Sequence, residues 1–236
     1  MLIRNQKTLN LGGLLGLTFI GILIVIFSPV FGGKNGLEYS DDLFNKLAKG
    51  SSYFIPEIAK SVRGFDGKNI SVAVKMDKPE VAQKAARMLL VGGAQVGVND
   101  TELKITGDFG KLLGNVLNDS DAMYKNDGAK ISSLYGADEL DVMSVWWNVL
   151  NKTARELQKE KKVEEANIAI EVMRKGIEPA YNFYKIDAQS VADKAGILIS
   201  LLVFYVVYTM WWGYSIFYLF DGLGLTMKKA KVKKEV

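Results

Sequence analysis

Ala195–Phe220, AGILISLLVFYVVYTMWWGYSIFYLF, carries no charge over twenty-six residues and is bounded by Lys194 and Asp221. At about 1.5 Å per residue, a helix of that length crosses roughly 30 Å of hydrocarbon with some tilt. A second uncharged run, Leu11–Phe31, follows a short head that holds Arg4 and Lys7. A secretory signal has a shorter apolar region and a small-residue cleavage site. Here the run ends in SPVFGG, so the sequence predicts an uncleaved signal anchor. With a span at each end, everything between them is expected on one side of a bilayer.

The flanks set the expected orientation. Arg4, Lys7 and the tail lysines Lys228, Lys229, Lys231, Lys233 and Lys234 all lie outside the two spans. The positive-inside rule then places both termini in the cytoplasm and residues of about 32–194 outside it, in a cytoplasmic (inner) membrane. The five tail lysines are also expected to touch the membrane surface. The net charge of +4 comes from the ends, because residues 34–194 hold 23 Lys and Arg against 24 Asp and Glu. A near-neutral middle argues against nucleic acid, which needs a basic face on the folded domain.

The chain has no cysteine and no histidine. Disulfides, Fe–S clusters, thiolate or imidazole zinc sites, and Ser-His-Asp or Cys-His catalysis are thereby removed. The glycine pairs Gly32-Gly33 and Gly92-Gly93 lack the Lys-Ser/Thr of a phosphate loop. Asp119-x-Asp121 matches only the opening of an EF-hand loop, and with Asp127 it reads as a solvated helix end. Asp138, Glu139, Asp141, Glu164 and Glu165 read as caps and salt-bridge partners. No catalytic residue, cofactor or metal is assigned.

Between the spans the period of the apolar residues changes. Residues 32–68 read as linker and short helices, with Ser40 capping one helix and Pro56 opening another. Over 69–125 the order is β-α-β-β-α. Ile70, Val72, Val74 and Met76 alternate on one strand, and Asp77 caps the next helix with Glu80 at the capping-box position. Asp108 caps the second helix of the unit. Its size and element order resemble half of a ferredoxin-like fold. Lys130–Tyr135 is compatible with a strand or a helical turn.

Residues 126–186 carry heptad spacing in two runs, Leu140–Leu157 and Val163–Tyr184, separated by the charged corner Lys159–Lys162. An antiparallel helical hairpin follows, its second arm interrupted near Gly176 and Pro179. Asp187 is expected to cap one long helix, 187–220, that includes the last span at 195–220. Residues 1–10 and 221–236 are the cytoplasmic ends. The expected fold is thus an α+β membrane protein. Two transmembrane helices bracket a small β-α-β-β-α unit and a helical hairpin packed on the extended last helix.

Small residues allow close helix approach in membranes. Gly12 and Gly16 form one such pair, and Gly196 and Ser200 repeat the spacing. Trp211 and Trp212 add aromatic contact surface in the last span. Trp147 belongs to the heptad seam, which leaves the adjacent Trp146 for contact with a partner.

The expectation is a non-catalytic accessory or scaffold subunit of a larger redox or transport complex. Its partners would be other membrane subunits or further copies of itself, together with the lipid bilayer. Two alternatives are an extracytoplasmic ligand sensor that signals through a separate protein and a homo-oligomeric assembly regulator. The layout behind the last is similar to that of polysaccharide co-polymerases of the chain-length-determinant type. Those proteins carry a proline-rich segment near the second span, whereas the prolines here are Pro29, Pro56, Pro79 and Pro179.

Overall fold

A computed structural model describes residues 3–225. The chain divides into two compact units, one from Met1–Phe44 with Ser190–Val236 and one from Asn45–Gln189.

The first unit is built on α1 (Gln6–Phe27) and α10 (Ala195–Gly222), both long and apolar enough to cross a membrane. Asn5 caps α1 by accepting from the Lys7 and Thr8 amides. A tight turn at Gly32-Gly33, both in the left-handed region, reverses the chain between Phe31 and Lys34. It leads into α2 (Gly36–Ser51). The cap of α2 is Asn35, whose Oδ1 accepts from Leu37 and Glu38 while Glu38 Oε2 accepts from the Asn35 amide. This is a reciprocal capping box one turn before the expected Ser40. Ser40 instead donates back to the Gly36 carbonyl from inside the helix.

In the second unit, α3 (Ile55–Val62) precedes β1 (Asn69–Lys75), α4 (Pro79–Val91), β2 (Gln95–Asn99), β3 (Glu102–Asp108) and α5 (Phe109–Tyr124). The sheet is antiparallel in the order β1-β3-β2, with Val72 and Val96 both opposite Ile105. Alternation on β1 buries Ile70, Val72 and Val74. On β3, Leu103 and Ile105 are fully buried. Asp108 caps α5 through the Lys111 amide at 3.1 Å. Asp77 does not cap α4: Lys78 occupies that position, and Asp77 takes Lys152 Nζ at 2.8 Å.

The remaining elements are α6 (Gly128–Tyr135), α7 (Glu139–Lys159), α8 (Val163–Val172) and α9 (Glu178–Asn182), with a π turn at Met173–Ile177 between the last two. Lys130–Tyr135 is therefore helical. The interruption expected near Gly176 is the π turn. A Cβ on Gly176 would stand 2.8 Å from Leu117 Cδ2, so the bulge lets α5 approach closely.

The long last helix is corrected. No helix starts at Asp187; α10 begins at Ala195. The segment before it is engaged otherwise, with the Lys185 amide on Asn126 Oδ1 and the Gln189 amide on the Lys46 carbonyl. There is thus no helical foot below Ala195 for the hairpin to pack on.

The tryptophans also exchange roles. Trp146 is fully buried, and its Nε1 donates to Asp119 Oδ2 at 2.9 Å. Trp147 is half-buried and donates to Glu178 Oε1 at 3.0 Å. The buried face of α7 includes Val142, Trp146, Val149 and Thr153 as well as Met143 and Leu150. A globular helix buries a wider stripe than a two-position coiled-coil seam.

Asp119 is consequently no solvated helix end. Its Oδ2 accepts from Tyr135 at 2.6 Å as well as from Trp146, and burial raises its carboxyl above the usual range against those two bonds. Replacing Asp119 with Leu strands the buried Trp146 donor at about 1–3 kcal/mol and the half-buried Tyr135 hydroxyl at less, whereas Asp119→Asn keeps an acceptor. Thermal unfolding of the full chain in detergent should show Asp119→Leu well below Asp119→Asn.

Glu139 shows the opposite shift. Bonds from Ser132 Oγ (2.7 Å), its own backbone amide and Tyr184 OH (2.8 Å) pull its carboxyl down to about 2. A carboxylate with a depressed folded-state pKa stabilises the fold above its unfolded value of 4.5 and loses that contribution as pH falls towards 2. In acid titration of unfolding, Glu139→Gln should erase part of the slope between those limits and leave the slope near neutrality unchanged.

Candidate functional site

α1 and α10 pair antiparallel, so that the start of α1 lies beside the end of α10. The Arg4 and Asn5 amides both donate to the Gly222 carbonyl, at 2.9 and 3.1 Å. Close approach along the seam depends on glycine. A Cβ on Gly12 would stand 2.6 Å from the Leu219 amide, and one on Gly16 would stand 3.0 Å from Ser215 Oγ. On the other helix, a Cβ on Gly222 would stand 2.6 Å from the Leu9 amide.

Three donors of α10 cross this seam to carbonyls of α1. Tyr208 OH reaches Phe19 O at 3.1 Å, Trp211 Nε1 reaches Leu15 O at 3.1 Å, and Ser215 Oγ reaches Gly12 O at 2.9 Å. The donors are spaced three and four residues apart, and their acceptors run four and three in the opposite sense. One helix face therefore reads the other along two turns. The Phe19 ring stacks on Tyr208 with centroids 4.1 Å apart and on Trp212 at 4.7 Å.

Of the residues singled out in the sequence, Gly12, Gly16, Trp211 and Trp212 meet in this seam. Gly196 and Ser200 do not. A Cβ on Gly196 meets nothing within 4 Å, and Ser200 Oγ turns back to the Gly196 carbonyl. Trp146 belongs to the core of the other unit. Lys228, Lys229, Lys231, Lys233 and Lys234 lie outside the described residues. Tyr208 and Ser215 were not anticipated as seam residues. Their signal is the three-four spacing of hydrogen-bonding side chains within an otherwise apolar span.

In the second unit, Lys49 is 2 % exposed. Its Nζ donates to Ile186 O at 2.6 Å, Asn126 Oδ1 at 2.9 Å and Phe183 O at 3.1 Å, and it lies 5.1 Å from the centroid of the Tyr124 ring. Desolvation lowers its pKa, and Asp187 opposes that shift. The Tyr124 hydroxyl donates to the Lys49 carbonyl. Asn126 and Lys185, both non-glycine residues in the left-handed region, meet in this cluster. Elsewhere on the unit, a surface groove of about 590 Å³ runs along α4 and the turn after α6, lined in part by Arg87, Leu90, Val91 and Leu134.

Among the described residues, no three acidic side chains gather as a metal-holding group. Asp121 pairs with Lys125 at 2.6 Å and accepts from Tyr53 OH at 2.6 Å. No protein-family model matches the chain, and no characterised protein or solved structure shows significant similarity to it.

The seam makes a directional prediction. Gly12→Leu forces side-chain volume into the Leu219 backbone and should cost about 1–3 kcal/mol of helix pairing, while Gly196→Leu should be near neutral. Thermal unfolding in detergent, followed by circular dichroism, separates the two.

Proposed function

We propose that this chain is a two-span membrane protein of the cytoplasmic membrane, acting as a non-catalytic accessory or scaffold subunit of a larger redox or transport complex. One observation carries the reading. The helix pair meets its own polar needs in the Tyr208–Trp211–Ser215 seam and still turns a row of aromatics outward. Tyr205, Tyr214 and Phe217 are all exposed, with Tyr205 at 66 % and Phe217 at 56 %. Exposed aromatic surface of this kind is what contacts with other transmembrane helices use.

The antiparallel pairing is consistent with both termini on one side of the bilayer, and Arg4 and Lys7 favour the cytoplasmic side. The spans hold no ionisable side chain except the tyrosine phenols, so the reading assigns any ion or proton path to the partner subunits. The groove along α4 favours a second reading, an extracytoplasmic ligand-binding module.

Affinity purification of the full chain from native membranes in mild detergent, with mass spectrometry and native sizing, tests the proposal. Stoichiometric co-purification of other membrane subunits is the expected outcome, and Tyr214→Ala with Phe217→Ala should weaken it without unfolding the chain. A lone monomer in detergent and in nanodiscs would overturn the accessory-subunit reading and favour the ligand-binding one. A large particle of this chain alone would turn it into a homo-oligomeric regulator.

A further inference from the structure

At the end of the helix pair away from the termini, a groove of about 790 Å³ opens within the first unit. Its size falls inside the roughly 300–1,000 Å³ range of small-molecule sites. Ile26, Phe31 and Phe44 line one wall, and Leu198, Leu202 and Tyr205 line the other. The first wall is held in place by the local structure. Phe31 and Lys34 exchange backbone hydrogen bonds, the Phe31 ring packs on Tyr39 at 5.8 Å, and the Asn35–Glu38 box fixes the start of α2. A Cβ on Gly36 would stand 3.0 Å from Ile26 Cγ2, so glycine is needed where α2 leaves α1.

The two walls differ in the medium they suit. On α2, Glu38, Asp41 and Asp42 suit a polar surface, and Lys34 pairs with Asp42 at 3.4 Å beside them. The same helix exposes Leu37 at 59 % and Phe44 at 52 %, one on the groove's rim and the other in its wall, while Leu43 is buried. On α10, Leu198–Tyr205 lies about 5–15 Å along a helix of about 42 Å, at 1.5 Å per residue. Centred on roughly 30 Å of hydrocarbon, those turns fall between the interface and the upper acyl region of the outer leaflet. The groove thus runs from a charged surface helix into hydrocarbon depth, with aromatic side chains at the boundary.

We infer that this groove holds one acyl chain of a membrane phospholipid. The inference rests on the reading of α1 and α10 as membrane spans. An acyl chain matches the apolar walls and the depth of Leu198 and Leu202, and it covers the Leu37 and Phe44 surface that water would otherwise meet.

The test uses the full chain reconstituted into phosphatidylethanolamine–phosphatidylglycerol vesicles containing a phospholipid with a photoactivatable acyl chain. Crosslinked peptides are mapped by mass spectrometry, and resistance to alkaline extraction is measured in parallel. Labelling of α2 over 37–44 together with α10 over 198–205 is expected, and Leu202→Trp, which fills the groove, should abolish the α2 labelling while sparing that at Ile199. Labelling of α10 without α2, in a protein that resists extraction, would overturn the groove assignment and leave the membrane reading standing. So would crosslinks from α2 to a second copy in place of lipid. Release by alkali with no labelling of either span would overturn the membrane reading itself.

Discussion

A buried ammonium bonded to three neutral oxygens holds together the two ends of the segment from Asn45 to Gln189. Lys49 stands four residues after the unit begins, and its acceptors Phe183 and Ile186 stand within six residues of where it ends. Desolvating a lysine is costly, and here three charge-assisted hydrogen bonds and the Tyr124 ring offset the cost. The Gln189-to-Lys46 backbone bond and the Asn126-to-Ile186 bond close the same cluster. The proposed two-span layout needs a domain whose first and last residues lie side by side. The Lys49 cluster supplies that, and it uses residues that would otherwise have extended the last helix toward Asp187.

The helix pair solves an equivalent problem with different chemistry. In the proposed membrane setting there is no hydrophobic drive between apolar helices, so packing and hydrogen bonds must supply the association. Glycines at 12, 16 and 222 bring the backbones together, and the donors at 208, 211 and 215 then reach carbonyls on the facing helix. Each such bond contributes on the order of 0.6 kcal/mol. Their sum is modest, but every one of them requires the same register.

Much of this architecture was legible in the sequence because it follows from period and charge. The alternation at Ile70, Val72 and Val74 and the Asp108 cap reported strand and helix directly. The uncharged runs reported two helices able to span a bilayer. What escaped depends on contacts distant in sequence. Trp146 and Trp147 are adjacent, and only the packing of α7 against Asp119, twenty-seven residues away, decides which is buried. Asp119 reads as a surface acid until the Trp146 and Tyr135 donors are placed on it. Lys49 lies in an ordinary amphipathic pattern, and nothing local signals that carbonyls 134 and 137 residues away will surround it. In α1 and α10, the glycine spacing was equally good at Gly12–Gly16 and Gly196–Ser200. Only the donors opposite Gly12 distinguish the pair that packs from the pair that does not.

That distinction also explains why α10 can be so aromatic without losing its pairing. Tyr208, Trp211 and Trp212 are large enough to hold helices apart, yet each has a partner on α1. Two of them spend their only donors on α1 carbonyls, and the third stacks on Phe19. Sliding α10 by one turn, about 5.4 Å, would bring Trp211 opposite Gly12 in place of Ser215, and the backbones could no longer touch. The same slip would separate Arg4 and Asn5 from Gly222. Size thus enforces the register that the weak hydrogen bonds merely prefer, and the outward aromatics are left free of any role in pairing the two helices.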